Sequence, residues 1–306
     1  MITREATKHA PLFSIIIAVF NDWQALHCCL RSLGQQKDAP AFEVIIVDDG
    51  SSEPAPESIY VLQRGYLLKI LKQAHDGVAA ARNNGAQNSN GLVLLFTDAD
   101  CRLRDDCLSN LSSAVAKSPE HNSFQLKIVG NCSHLTGRAE HLRLITLQQQ
   151  LLQGDGRIRY LNTAGFAIRR SLQSGKIFDS RAQRGEDTML LSDLIAKGEL
   201  PLFIGDAIVE HGIPMSVMRC LVKDVSSALI EANTYDIIAS KGIQIRMSQR
   251  ERLSVLVSMW RASRDPSIGY PASLVAVARQ ALQRMLSLTH PVLRRLTVNT
   301  RRLWQL

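Results

Sequence analysis

A continuous apolar run that ends in two carboxylates places the strongest constraint on the fold of this chain. The run Leu92–Phe96 is followed by Thr97, Asp98, Ala99 and Asp100. Short aliphatic runs of this kind are typical of a strand that is buried on both faces of a sheet. Alternate residues of an extended backbone point the same way, so we expect Asp98 and Asp100 to face one cleft. Their oxygen donors suit Mg²⁺ or Mn²⁺, although an ordinary acidic turn is the alternative interpretation.

The first 210 residues alternate short apolar runs with helical patterns. This alternation predicts an α/β fold, a mostly parallel sheet with helices on both faces. Strands are predicted at Phe13–Val19, Phe42–Val47, Leu67–Leu71, the run before Asp98, Phe124–Val129, Tyr160–Ile168 and Pro201–Val209. Helices are predicted at 22–36, 77–87, 105–117, 138–152 and from Gly185 onward, with Asn21 or Asp22 placed to cap the first of them.

The pattern changes to all-helical beyond Pro214. In the stretch from Leu274 to Leu288, apolar residues recur on one face of the predicted helix, with Arg279 and Arg284 away from the centre of that face. We therefore predict one domain over residues 1–211 and a basic, mainly helical C-terminal extension over residues 212–306.

The positive charge of the chain is concentrated in that extension. Residues 1–210 contain 22 Lys and Arg against 23 Asp and Glu, whereas residues 211–306 contain 14 against 5. No acidic residue follows Asp265. A basic segment of this kind indicates an acidic neighbour, and we expect residues 266–306 to meet an anionic membrane surface or a partner protein rather than nucleic acid. The alternative is a helical lid packed on the first domain, with its arginines in solvent; Leu293, Leu296 and Trp304 suit either use.

The sequence shows neither a membrane-spanning or secretory pattern nor a cysteine spacing typical of disulfides or zinc. The sequence has no run of eighteen apolar residues, and the segment before Phe13 is charged rather than apolar. The six cysteines, with Cys28 and Cys29 adjacent, match neither a disulfide framework nor a zinc site. We expect a cytoplasmic protein with reduced thiols, peripheral on the inner face of the membrane if the basic segment binds lipid.

Polar residues follow several of the predicted strands or begin the next helix. Asp48 and Asp49 end the second strand, Asp98 and Asp100 follow a later one, Glu186 and Asp187 begin a helix, and His211 follows the last strand. Ligands of parallel α/β sheets bind beyond the carboxyl ends of the strands, so we expect these groups to converge on one cleft.

Five segments, in this order and spacing, resemble the family 2 glycosyltransferases of the GT-A fold. They are SIIIAVFND at 14–22, EVIIVDDGSS at 43–52, AAARNNG at 79–85, FTDAD at 96–100 and GED at 185–187. The resemblance covers roughly residues 12–211, which would make that region a GT-A catalytic domain.

The resemblance implies a role for each matching residue. Ala18, Phe20, Asn21 and Asp49 would hold the nucleoside of a nucleotide sugar, with Arg82 beside the nucleotide and Asp98 facing the ribose or the metal shell. The Asp49 carboxylate can accept from a uracil N–H or from ribose hydroxyls. Asp100, with Asp98 and His211, would bind Mn²⁺ or Mg²⁺. A lone histidine in the core is the alternative interpretation of His211.

The same resemblance nominates Asp187 as the general base, with Glu186 orienting it. The alternative is that both acids only favour the N-terminus of a helix through its dipole. The expected activity is metal-dependent, inverting transfer from a nucleoside diphosphate sugar, with UDP as the expected nucleotide, to a hydroxyl of a glycan, a lipid-linked acceptor or a peptide.

Three other classes of protein fit the sequence less well. A catalytically silent GT-A scaffold would keep the fold but would not need both acidic motifs. A sugar nucleotidyltransferase would carry a glycine-rich phosphate loop after the first strand, where this chain has Ala18-Val19-Phe20-Asn21. A dinucleotide-dependent oxidoreductase would need G-x-G-x-x-G at the same place, and the sequence lacks it there.

Overall fold

The computed structural model describes residues 10–62, 65–172, 175–181, 184–212, 216–240, 242, 243, 245 and 247–297. The chain divides into two compact units. The first unit comprises residues 1–126, 163–177 and 204–209, and the second comprises residues 127–162, 178–203 and 210–306. The division into functional domains at residue 211 stays a prediction, because compact units and functional domains need not share a boundary.

Strands and helices alternate through the first two thirds of the described chain. The strands are β1 Phe13–Val19, β2 Phe42–Asp48, β3 Leu67–Lys72, β4 Val93–Asp98, β5 Cys101–Leu103, β6 Ser123–Gly130, β7 Phe166–Arg169 and β8 Leu202–His211. The helices are α1 Trp23–Gly34, α2 Glu57–Tyr60, α3 Val78–Gln87, α4 Cys107–Lys117, α5 Leu135–Leu151, α6 Glu186–Ala196, α7 Val217–Ser240, α8 Gln249–Arg261 and α9 Tyr270–Thr297.

The strands form one sheet in the order β3-β2-β1-β4-β7-β6-β8-β5. β1 pairs in parallel with β2 and β4, and β2 pairs in parallel with β3. The register puts Ala18 opposite both Val47 and Asp98, and Val19 opposite Asp48. The carboxyl ends of β1, β2 and β4 therefore finish level with one another, and the polar residues that follow these strands emerge at one edge of the sheet.

The segment predicted as a single strand over Tyr160–Ile168 is built differently. Thr163–Gly165 forms a 3₁₀ turn, and only Phe166–Arg169 is a strand, antiparallel to β4 and β6. The Thr97 hydroxyl donates to the Ala164 carbonyl at 2.9 Å, and the Gln125 amide donates to the Gly165 carbonyl at 3.0 Å. Because side chains satisfy these carbonyls, the turn can be buried without ladder pairing.

The helices beyond residue 216 confirm the predicted change to an all-helical pattern. Within the second unit, α5, α8 and α9 share a cluster of small and aliphatic residues: Ala139, Leu142, Val255, Met259, Ile268, Ala272 and Ala276. α8 begins with a capping box between Ser248 and Glu251. No described helix is both long and apolar enough to cross a membrane.

The basic residues of this region are not all at the surface. Arg279 of α9 is only 6% exposed, and it pairs with Asp224 of α7 and Glu140 of α5. The alternative in which the arginines of the extension lie in solvent is therefore wrong for Arg279, since its acidic neighbours are in its own chain. Arg301, Arg302 and Trp304 lie outside the described residues.

Candidate active site

The turn after β2 is tied to the end of β1 by hydrogen bonds. The Asn21 backbone N–H donates to Ser51 Oγ at 2.9 Å, and Asn21 Oδ1 accepts from the Ser52 N–H at 2.8 Å. Asn21 has a φ of 55°, and Asp22 occupies the N-cap position of α1 without a side-chain cap bond. Asp22 is thus the N-cap residue, one of the two candidates predicted, but its side chain makes no cap hydrogen bond. Asn21 instead holds the two loops together.

Asp49 organises the segment that joins β3 to α3. Its Oδ1 accepts from the Gln73 amide at 2.7 Å and from the Asp76 N–H at 3.0 Å, and its Oδ2 accepts from the Gly77 N–H at 3.0 Å. His75 Nδ1 lies 3.0 Å from Oδ2. The carboxylate is almost fully buried and has its acceptor positions occupied in this state. Gln73 and His75 were missed from sequence, although the run before Gly77 is polar like the other strand-to-helix turns.

Gly50 explains why this turn approaches the segment at 73–77 so closely. Its φ is 82°, and a Cβ at this position would lie 2.7 Å from the His75 backbone nitrogen. Only glycine fits there without a shift of backbone. On the open side, the Phe20 ring stacks on the His75 imidazole at a centroid distance of 4.3 Å, with Phe20 48% exposed. This gives the strand edge an accessible aromatic surface beside the half-buried Ala18.

Arg82 lies in the first turns of α3 and faces the end of β4. Its Nη2 donates to Asp98 Oδ1 at 2.6 Å, and the arginine is 3% exposed whereas the Asp98 side chain is 31% exposed. The buried guanidinium therefore fixes one oxygen of a carboxylate whose side chain is still partly exposed.

Asp98 and Asp100 are brought together by a turn and not by strand alternation. β4 ends at Asp98, and Ala99 and Asp100 form the turn into β5. One carboxylate oxygen of Asp98, one of Asp100 and the Cys101 sulfur lie within 4.8 Å of one another. The predicted pairing of the two acids is thus found within the first unit, and two carboxylates this close suit a hard divalent cation. Cys101 was not predicted as a member of this group.

The Cys101 thiol is neutral at physiological pH. Burial raises the pKa of Cys101 well above its usual value, and the charges of Asp98 and Asp100 act in the same direction. A coordinating cation opposes both effects, because it stabilises the thiolate.

In the second unit, Glu186 and Asp187 form the first turn of α6. Gly185 precedes them with a φ of 81°, and Thr234 of α7 donates to the Arg184 carbonyl at 2.6 Å. Asp187 Oδ1 accepts from the Thr188 N–H at 2.6 Å, while Glu186 is 7% exposed. The N-terminus of the helix stabilises both charges. This position is compatible with a base and with the purely structural alternative.

Tyr160 is a neighbour of Asp187 that the sequence did not indicate. Its hydroxyl accepts from the Asn162 amide at 3.1 Å. Burial raises the pKa of Tyr160 to about 12, with Asp187 and Glu140 adding to the effect and Arg143 opposing it. The phenol is therefore neutral at physiological pH and available as a hydrogen-bond donor.

His211 is the last residue of β8 and belongs to the second unit, where it is partly buried. Its positive form would help to lower the pKa of Glu140. The described structure thus groups the predicted residues by unit: Ala18, Phe20, Asn21, Asp49, Arg82, Asp98 and Asp100 lie in the first, and Glu186, Asp187 and His211 lie in the second.

Comparison with known proteins gives this architecture a family. The sequence profile of glycosyl transferase family 2 matches residues 14–174, which is more than half of the chain. Glycosyltransferase AglE of Haloferax volcanii is 33% identical over 98 residues, which cover 31% of this chain and 32% of AglE. The chain thus matches only about a third of the length of this relative.

Two solved structures share the fold. The mannosyltransferase PcManGT of Pyrobaculum calidifontis, in complex with GDP-Man and Mn²⁺, has a TM-score of 0.61 at 14% identity and covers 93% of this chain and 88% of its own. TarS 1–349 of S. aureus, in complex with UDP, has a TM-score of 0.53 at 17% identity, with 92% and 91% covered. These likenesses confirm the predicted α/β fold of the GT-A type, and together with the profile match they show that the chain belongs to glycosyl transferase family 2.

Proposed function

We propose that this protein is a metal-dependent, inverting glycosyltransferase that moves a sugar from a nucleoside diphosphate sugar to an acceptor hydroxyl. The observation that carries the proposal is the pair of acids Asp98 and Asp100 at the end of β4, together with the hydrogen bond from Arg82 that fixes Asp98. Membership of family 2 supports the reaction class. UDP is the proposed nucleotide; the structure of TarS contains UDP and that of PcManGT contains GDP-Man, so UDP and GDP sugars are both tested below.

The donor nucleotide is proposed to bind at the carboxyl edge of β1, β2 and β4. Ala18, Phe20 and Asn21 would contact the nucleoside by backbone and packing, and Phe20 already offers an exposed ring. Asp49 would act mainly by holding the segment at 73–77 in place, since four groups of that segment contact its carboxylate. Arg82 and Asp98 would face the ribose and phosphate side of the donor.

Asp98, Asp100 and His211 are proposed as the protein ligands of Mn²⁺ or Mg²⁺. Two carboxylates and one imidazole suit Mn²⁺ at least as well as Mg²⁺, and they leave positions open for phosphate oxygens. When bound, such an ion neutralises the charge that develops on the leaving diphosphate.

Asp187 is proposed to accept the proton of the acceptor hydroxyl, with Glu186 orienting it. The hydroxyl oxygen then bonds to the anomeric carbon from the side opposite the diphosphate. The bond from that carbon to the phosphate oxygen breaks, and its electron pair leaves with the nucleoside diphosphate. This single displacement inverts the configuration of the anomeric carbon. Tyr160, a neutral phenol near Asp187, would stabilise the carboxylate by hydrogen bonding.

The acceptor is proposed to be a hydroxyl of a glycan, a lipid-linked acceptor or a peptide. We also propose that residues 1–211 act as the catalytic domain and residues 212–306 as a basic, mainly helical extension, with residues 266–306 meeting an anionic membrane or a partner protein. We propose that the protein is located in the cytoplasm, as a peripheral protein on the inner face of the membrane. Free cysteines at all six positions agree with a reducing compartment.

Release of nucleoside diphosphate from a panel of UDP and GDP sugars, with and without Mn²⁺, tests the proposal. We expect Mn²⁺-dependent turnover of at least one donor. Asp187→Asn should lower kcat by about 10²- to 10⁴-fold. Asp193→Asn on the same helix serves as the matched control. Equal losses in both variants would remove Asp187 from the mechanism, and donor binding without turnover would favour the catalytically silent scaffold.

A further inference from the structure

α8 presents an apolar face to solvent. Leu253, Val257 and Trp260 are 59%, 39% and 49% exposed. Their spacing of four and three residues puts them on one face of the helix. Val255 and Met259, on the other face, are buried in the cluster shared with α5 and α9. The helix therefore has two apolar faces, and only one is covered within the second unit.

The beginning of α9 extends the exposed face. Tyr270 and Leu274 are 54% and 50% exposed and lie one helical turn apart. The rings of Trp260 and Tyr270 meet edge to face at a centroid distance of 5.4 Å. We call the five residues Leu253, Val257, Trp260, Tyr270 and Leu274 the apolar strip. Contiguous apolar surface of this kind on a water-exposed protein usually marks an interaction site.

Positive charges border the strip. Arg250, Arg261 and Arg264 are exposed. Arg250 is seven residues before Val257 and Arg261 is four residues after it, so both fall on the same face of α8 as Val257. The nearby acids are already engaged: Glu251 pairs with Arg159 and the Ser248 N–H, and Asp265 accepts from Ser267. Apolar and aromatic residues beside arginines are typical of helices that lie in a membrane interface.

We propose that the apolar strip and its three arginines dock on an anionic lipid surface, with α8 lying along the interface. Charge complementarity favours lipid, because residues 211–306 carry 14 basic and 5 acidic side chains. A second copy of the chain fits less well, since a two-fold contact through the strip would bring the same arginines of both copies together. Arg279 takes no part, because Asp224 and Glu140 bind it.

The proposed membrane contact lies at residues 250–274, whereas the sequence predicted it at residues 266–306. It does not depend on glycosyl transfer, because lipid binding is measured without a donor or an acceptor. Co-sedimentation of the full chain with phosphatidylcholine vesicles, with and without phosphatidylglycerol, is the direct assay. Quenching of tryptophan fluorescence by brominated lipid in the parent, compared with Trp260→Phe, reports whether this ring enters the bilayer.

Two variants separate the apolar from the electrostatic contribution. Leu253→Ser with Trp260→Ser should weaken vesicle binding by about tenfold or more, because two apolar side chains no longer leave water. Arg250→Gln with Arg261→Gln and Arg264→Gln should weaken binding to anionic vesicles by about 100-fold and remove most of its salt dependence. These side chains are exposed, so equal melting temperatures should confirm intact folding.

Matched controls lie elsewhere on the chain. Met218→Ser with Val222→Ser removes two exposed apolar side chains of α7, and Arg31→Gln with Arg102→Gln and Arg104→Gln removes three exposed charges of the first unit. The proposal predicts nearly parental binding for both controls. It is overturned if the controls lose as much as the test variants, if the test variants bind normally, or if Trp260 is not quenched. A concentration-dependent dimer that the strip variants abolish would assign the strip to a second copy instead.

Discussion

Arg279 donates to both carboxylate oxygens of Asp224, with nitrogen to oxygen distances of 2.6 and 2.9 Å. The two residues are 55 positions apart and join α9 to α7, and the third nitrogen of Arg279 reaches Glu140 of α5 at 2.9 Å. Arg143 completes the group by a bidentate pair with Glu140. Three helices of the second unit are therefore held by one buried charge network.

Removing Arg279 should destabilise the protein strongly. Arg279→Met leaves the buried Asp224 without its ion pair, and the expected loss is about 3 to 5 kcal/mol in the free energy of unfolding. Arg264→Met, at an exposed position, should change it by no more than about 0.5 kcal/mol. Urea unfolding compares the two. Arg279→Met with Asp224→Asn should recover part of the loss, and an unaffected single variant would contradict the network.

The stability of the protein should fall in acid partly through Glu140. Burial alone would raise the pKa of Glu140, but Arg143 and Arg279 outweigh it and hold that pKa well below its usual range. Since the folded pKa is depressed, this contribution is present above the unfolded pKa of about 4.5 and is lost as the pH falls towards the folded pKa. Glu140→Gln should therefore be less stable than the parent at neutral pH, with a difference that narrows below about pH 4. Thermal melting of the parent and of Glu140→Gln from pH 7 to pH 3 checks this, with the exposed Glu57→Gln as the control. A difference in melting temperature between the parent and Glu140→Gln that stays constant with pH would contradict the prediction.

The sequence predicted the elements that local residues determine, and it missed those that depend on contacts with distant segments. β1 is found where the sequence predicted it, because an apolar run that is buried on both faces carries its own signal. β5 has only three residues and was missed, since such a strand depends on its neighbours. The antiparallel β7 and its preceding turn were also missed, because their carbonyls are satisfied by Thr97 and Gln125 from distant segments.

The candidate site shows the same division. The spacing of Asp98 and Asp100 predicted that the two acids would meet, although a turn brings them together and not strand alternation. The partners of Asp49 lie 24 to 28 residues further along the chain, and no local pattern identifies them. The burial of Arg279 was not predicted, because a single helix does not reveal which acid on another helix will pack against it.

Arg82 should tune the affinity of the proposed metal site. Arg82→Met removes the guanidinium that fixes Asp98 Oδ1, so Mn²⁺ affinity should fall by about 10- to 100-fold, as for other outer-shell partners of metal ligands. Titration of Mn²⁺ by electron paramagnetic resonance measures this directly. Arg102→Met, at an exposed position of the same unit, should leave the affinity unchanged. Parental Mn²⁺ affinity in Arg82→Met would count against the role given to this pair.

Asp49 should affect the donor through the segment at 73–77. In Asp49→Asn the amide nitrogen cannot accept from the Gly77 N–H, so the segment loses a charged hydrogen-bond partner and nucleotide affinity should fall by about 10- to 100-fold. Asp76→Asn leaves the backbone N–H that Asp49 binds and should behave like the parent. Calorimetry with UDP and GDP compares the variants, and equal affinities for all three proteins would show that this segment does not touch the nucleotide.

Asp98 and Asp100 are proposed to hold a cation that binds the diphosphate of the donor. Calorimetric titration of UDP into the parent and into Asp100→Ala, each with and without Mn²⁺, tests it most directly, with the exposed Asp105→Ala as the control. We predict that Mn²⁺ tightens UDP binding to the parent and to the control by about tenfold or more, because the ion screens the diphosphate charge. Asp100→Ala should show no such gain. An equal gain from Mn²⁺ in Asp100→Ala would contradict the account.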